Sequence, residues 1–185
     1  MGPGVAMLAL GLLLAAAMPA ARQQVGTQPR REALARVVSL LEGRWVGSGT
    51  LAFDPQRQYA VSIDLTAAPK SDATVLLLEA AYTLTPRSAP HQPTSHDEVA
   101  VFSFNDGAQR LQVDIFFADG HHEAGTVTVE DTLLRLTTPL PAGGTRRITI
   151  DRSSPDEWHE IGERSTDGKA WQTYFESKTT RTPTR

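Results

Sequence analysis

From Trp45 onward the chain repeats with a period of two. Tyr59, Val61, Ile63 and Leu65 alternate with Ala60, Ser62, Asp64 and Thr66, and Leu111, Val113, Ile115 and Phe117 alternate with Arg110, Gln112, Asp114 and Phe116. Ile148 and Ile150 alternate with Arg147, Thr149 and Asp151. Successive side chains on a strand point to opposite faces, so each run builds one apolar and one mainly polar face. Turn signals separate the runs: Asp54-Pro55, Ala68-Pro69, Asn105-Asp106-Gly107, Asp119-Gly120, Ala142-Gly143-Gly144, Ser153 to Asp156, and Asp167-Gly168. About ten strands result, near 45–53, 58–67, 74–85, 98–104, 109–117, 122–130, 132–138, 145–152, 157–165 and 170–180. Short connections between consecutive strands predict an antiparallel meander.

One helix precedes them. Pro29 opens a stretch in which Leu34, Val37, Val38 and Leu41 fall on one stripe, ending near Gly43. Residues 22–28 before it are polar and read as a flexible leader. A meander of this length must hide its two edges, and closure into a barrel removes them. Ten strands leave an internal cavity where eight are nearly filled by side chains. The predicted fold is all-β: an up-and-down antiparallel barrel of about ten strands over residues 29–185, with the helix closing one end. A two-sheet sandwich is the competing solution. The segment Pro86 to Asp97, with Pro90, Pro93, His91 and His96, is long for a hairpin connection and reads as a flap or an insertion.

The opening residues alter the reading of the whole. Val5 to Ala17 is an unbroken apolar run that ends in small residues and is followed by Met18-Pro19-Ala20-Ala21. As a helix it would rise only about 20 Å, short of a hydrocarbon core of roughly 30 Å, and it has the length of a signal-peptide core. Residues 1–21 are therefore expected to direct export and to be removed, leaving a bacterial periplasmic or secreted domain without membrane insertion.

Composition mainly excludes. The 185 residues contain no cysteine, which rules out disulfides, thiolate metal sites and a cysteine nucleophile. A formal charge of −3 gives no support to nucleic-acid binding. Any chemistry must come from histidine, carboxylate, hydroxyl or aromatic groups.

Two motifs stand at the ends of the strand series. Gly43-Arg44-Trp45-Val46-Gly47-Ser48-Gly49 is a Gly-x-Trp-x-Gly-x-Gly sequence at the helix-to-strand junction. Asp167-Gly168-Lys169-Ala170-Trp171 lies near the other end, followed by Tyr174 and Arg181. This combination resembles a bacterial family of lipocalin-like barrel proteins, often exported and without assigned function. More distantly it is similar to the calycin group and to nitrobindin-type haem-binding barrels. The resemblance implies that Trp45 packs across the barrel base with Arg181 stacked on its indole, a contact contributing about 0.5–2 kcal/mol. Trp171 is expected to pack at the final hairpin. Gly47 and Gly49 share Trp45's face, where the lack of side chains permits strand bending or leaves room for a ligand.

Haem enters through the same resemblance, because nitrobindin-like barrels hold iron through a histidine near the C-terminus. The last strand here has none; His159, one strand earlier, would serve only if the face it shares with Ile161 points inward. His121-His122-Glu123 supplies at most two ligands on one face, short of a zinc site, so no metal is expected. No Gly-x-Ser-x-Gly elbow or phosphate loop is present. Glu79, Tyr82 or Tyr174, if inward in an apolar barrel, could carry a shifted pKa. The expectation is a binding module for a small apolar molecule, lined by Gly47, Gly49, Tyr82, His159 and Tyr174. The alternatives are an enzyme of isomerase, cyclase or hydrolase type using at least two inward titratable groups, and a haem-binding barrel. A ligand-free interaction domain marked by an exposed apolar patch is the third.

Overall fold

The computed structural model describes residues 21–88 and 92–183, with side chains from Pro29 onward. The expected export segment up to residue 20 and His91 lie outside the described residues. The period-two runs form β1 (Gly43–Ala52), β2 (Gln58–Lys70), β3 (Val75–Pro86), β4 (Thr94–Asn105) and β5 (Arg110–Phe117). They continue as β6 (His122–Glu130), β7 (Leu133–Pro139), β8 (Thr145–Asp151), β9 (Glu157–Ser165) and β10 (Gln172–Thr182). Each strand pairs antiparallel with its sequence neighbour, and β1 pairs with β10 to close the barrel. The sandwich alternative is excluded, because a closed sheet has no second layer.

The inner face follows the alternation. Val61, Ile63 and Leu65 of β2 are buried while Ser62 and Asp64 between them are exposed. Leu76 and Leu78 of β3, Phe102 of β4, Val113 and Ile115 of β5, and Leu134 and Leu136 of β7 complete most of the core. Each such side chain contributes roughly 1.5–3 kcal/mol when fully buried.

The seam between β1 and β10 assigns a role to two glycines. Gly47 pairs with Thr179 and Gly49 with Ser177. A Cβ at Gly47 would lie 2.1 Å from the Lys178 carbonyl oxygen, and one at Gly49 would lie 2.4 Å from that of Glu176. The space beside them is occupied by the β10 backbone. This corrects the expectation that Gly47 and Gly49 leave room for a ligand.

The helix α1 (Ala21–Leu41) contains Pro29, and its turns from Pro29 onward carry the apolar stripe expected from the sequence. Proline inside a helix forgoes one backbone donor and crowds the preceding turn, which is why the sequence reads as a start at that point. Leu34, Val37 and Leu41 are fully buried against the barrel, and α1 contacts β2, β3 and β4. It closes the end at which β1 begins. Its last carbonyls, which have no intrahelical donor, are met by the barrel. Trp45 Nε1 donates to Leu41 O at 2.9 Å and Arg152 Nε to Leu40 O at 2.8 Å. Just beyond the helix, Arg181 Nη1 donates to Glu42 O at 2.7 Å.

The indole of Trp45 is fully buried. The Cζ atoms of Arg152 and Arg181 lie 4.0 and 4.4 Å from its ring centroid, and Trp158 meets it edge-on at 5.6 Å. Gly43, at the junction, lies beneath the Arg181 guanidinium. Trp171 sits just before β10 under the guanidinium of Arg147, 4.0 Å away, which also bonds to Glu163 at 2.7 Å.

The segment read as a loop from Pro86 to Asp97 is shorter. β3 runs through Pro86 and β4 begins at Thr94, so His96 is a strand residue. Prolines flanking the turn concealed the first residues of β4, because proline signals a break without saying how soon pairing resumes.

Candidate functional site

Between the helix-closed base and the opposite rim the barrel encloses a cavity of about 270 Å³. That is near the small end of the roughly 300–1,000 Å³ of small-molecule sites. Leu65, Leu78, Phe102, Ile150 and Trp158 line it toward the base; Phe53, Leu84, Phe117 and Phe175 line it toward the rim. The wall also carries a polar set from five strands: Tyr82 of β3, His96 and Glu98 of β4, Arg146 of β8, Glu160 of β9 and Tyr174 of β10.

Register places these groups. Tyr82 pairs with His96 and Ala80 with Glu98, which makes Glu98 the diagonal neighbour of Tyr82. The Tyr82 hydroxyl donates to Glu98 Oε1 at 3.0 Å. On β9, Trp158 and Glu160 share the inner face, and Trp158 Nε1 donates to Glu160 Oε2 at 3.2 Å. Arg146 donates to Glu123 of β6 and, through Nε, to Thr138 Oγ1 at 3.2 Å. At the rim a row of rings runs from Tyr82 to His96, Phe117 and His121, with successive centroids 6.2, 5.6 and 5.4 Å apart.

The apolar wall changes the acidity of what it encloses. Burial, with the neighbouring Glu98 charge second, pushes the Glu160 carboxyl up to about 7. Burial likewise raises Glu98, against the lowering hydrogen bond from Tyr82. The Tyr174 hydroxyl is pushed up to about 12, mainly by burial. Tyr82 is raised as well, by burial and then by Glu98 and Glu160. Two carboxyl groups and two phenols therefore occupy one enclosed space, with the Tyr82–Glu98 pair in hydrogen-bond contact.

Of the residues picked out from the sequence, Tyr82 and Tyr174 line the cavity. His159 does not. Trp158 and Glu160 point inward, so His159 points outward, where its Nε2 lies 3.0 Å from Glu176 Oε1 on β10. This corrects its assignment to the barrel lining and removes the iron ligand proposed for haem. The only histidine lining the cavity among the described residues is His96, at the rim. His122 stacks on Phe116 on the outer face, and His121 lies beside Glu123. Among the described residues no three His, Asp or Glu side chains gather as a metal site. Glu79 is exposed on the outer face.

Sequence reasoning missed Glu98, His96 and Arg146 as lining residues. For Glu98 and His96 the signal is the alternation of Ala100 and Phe102 continued back across the apparent loop. For Arg146 it is the shared face with Ile148 and Ile150. A third feature has no sequence signal. The pairing of β10 with β9 shifts between Thr173 and Phe175, and this bulge lets adjacent Tyr174 and Phe175 both reach the cavity. Gly162 makes way for the tyrosine, since a Cβ there would lie 2.9 Å from Tyr174 Cζ.

No protein-family model and no curated protein matches the chain. Solved structures do. The crystal structure of Rv2717c from M. tuberculosis aligns with a TM-score of 0.56 at 15% identity, covering 81% of this chain and 98% of that one. S-type phycobiliprotein lyase CPES from Guillardia theta aligns with a TM-score of 0.53 at 13% identity, covering 88% of this chain and 98% of that one. The closed barrel shares a lipocalin-like fold with both structures. At these identities the likeness concerns the fold alone, and the chemistry must be read from the cavity.

Proposed function

We propose that the protein binds a small, mostly apolar molecule in the barrel lumen. The cavity of about 270 Å³, apolar over most of its wall with a few convergent polar groups, is the observation that carries this reading. Each 100 Å² of apolar ligand surface removed from water contributes roughly 2.5 kcal/mol. The polar set then fixes orientation. That one structural neighbour is a phycobiliprotein lyase supports the reading, since a protein with this barrel acts on another molecule. Export to the periplasm or beyond belongs to the same proposal, supported by the apolar run Val5 to Ala17.

Native mass spectrometry of protein purified from its own host tests the reading, with retained small-molecule mass as the expected result. Leu84 lies toward the rim of the cavity. The Leu84→Trp substitution should narrow the entrance and weaken binding of the recovered molecule about tenfold or more, measured by calorimetry. Unchanged affinity in that variant would place the ligand elsewhere.

A second reading, an enzyme performing proton transfer in the lumen, is favoured by the contact between Tyr82 and Glu98 beside Glu160. Recovery of the bound molecule unchanged after prolonged incubation argues for a carrier; its conversion argues for the enzyme.

A further inference from the structure

We infer that the lumen selects a lipophilic cation: an apolar body bearing a protonated amine, seated against Glu98 and Glu160. This rests on the lumen being a ligand site and names the class of ligand. The charged groups facing the cavity are Glu98 of β4, Glu160 of β9 and Arg146 of β8, with His96 at the rim and the phenols of Tyr82 and Tyr174 between them. The charge of Arg146 is already engaged by Glu123 of β6. Among the described residues neither Glu98 nor Glu160 forms an ion pair; Arg146 acts on both, and His96 on Glu98, only at longer range and less strongly than burial. Each accepts a single hydrogen bond, from Tyr82 on Glu98 and from Trp158 on Glu160. The second oxygen of each meets no donor among the described residues, although Glu160 is only 9% exposed.

A buried carboxylate with an open lone pair is costly unless charge and hydrogen bonds compensate it. The lumen is therefore short of positive charge and of donors. An ammonium supplies both, since it carries one charge and three N–H groups and accepts no hydrogen bond. The apolar wall takes the remainder of the molecule. An anionic head group would face two carboxyl groups, and the one nearby guanidinium is already paired. A neutral alcohol could hydrogen-bond but would compensate no charge. The upward shift of Glu160, from burial and from Glu98, agrees with that deficit.

Three probes sharing one ring system separate these cases: naphthylmethylamine, naphthylmethanol and naphthoic acid, each titrated calorimetrically into the whole protein at about pH 8, above the Glu160 transition. The amine should bind about tenfold or more tighter than the alcohol, and the acid should show no measurable binding. Glu98→Gln and Glu160→Gln should each reduce the amine to the affinity of the alcohol, with circular dichroism and thermal melting of the variants showing that they are folded. Lowering the pH to about 5 should remove the advantage of the amine as Glu160 takes up its proton. Alcohol or acid binding as tightly as amine would overturn the selection for a cation and leave the apolar site standing. If none of the three binds the wild-type protein, the cation inference and the lumen reading fall together.

Discussion

Trp45 is the residue at which the helix, the first strand and the last strand meet. Its ring is covered by Arg152 and Arg181, and its Nε1 holds the end of α1. Arg181→Ala removes a stacked guanidinium and the donor to Glu42 O. Urea denaturation should show a loss of about 1–3 kcal/mol, and no loss would mean that the stack contributes nothing. Arg152 is the more deeply placed partner. Burial and the neighbouring Arg181 bring its pKa down to about 10, so it stays charged at neutral pH, and its guanidinium also donates to Ser154 O at 3.1 Å. Trp45 and Arg181 stand out in the sequence because the terminal motifs resemble a known pattern. Arg152 does not, because nothing distinguishes an arginine before a Ser-Ser-Pro turn from a solvated one. The face of His159 is ambiguous in the sequence for a related reason. β9 carries Trp158 on one face and Ile161 on the other, so alternation alone does not say which face is inner. Only closure of the sheet decides it.

At the scale of elements, the informative part is the β1–β10 seam. Ten strands and their order are legible in the alternation and the turn signals. The close approach of two backbones is not, because a glycine beside a strand reads equally well as a bend or as space for a ligand. Gly47→Ala tests this close approach. The added methyl would be forced against the Lys178 carbonyl, and neighbouring backbone cannot move aside as a flexible side chain would. A loss of about 1–3 kcal/mol in urea denaturation is expected; an unchanged midpoint would show that the seam has slack. The β10 bulge belongs to the same scale. It doubles the aromatic contribution of one strand to the cavity wall, and an unpaired residue in a ladder leaves no trace in the hydrophobic pattern. The start of β4 lies beside prolines, which mark an irregularity more reliably than a boundary.

The whole molecule registers the buried carboxyl groups in its stability. Glu160 has an ordinary value of 4.5 and a folded value of about 7. The folded protein therefore binds more protons than the unfolded chain between these values. The resulting stabilisation is fully present below 4.5 and is lost as pH rises toward 7. Relative to Glu160→Gln, the wild-type protein should lose on the order of 3 kcal/mol over that range, and parallel pH–stability curves for the two proteins would contradict it. Strand count, meander and closure were open to reasoning from the sequence, because each follows from local pattern and the need to hide edges. The polar set in the lumen was less accessible, since its members come from five strands and share a site only once the sheet has curled into a tube.

That curling depends on the chain's most distant pairing. The Arg181 bond to Glu42 O spans 139 residues, and the strands it accompanies are the first and the last. A ribosome makes β1 early and β10 late. Throughout that interval the nascent sheet has two open edges, each able to pair with a stranger. Nine strands can be in place before the tube exists, and its interior remains wet until the tenth arrives. A break in translation before residue 172 would therefore yield an aggregation-prone open sheet rather than a slightly smaller barrel.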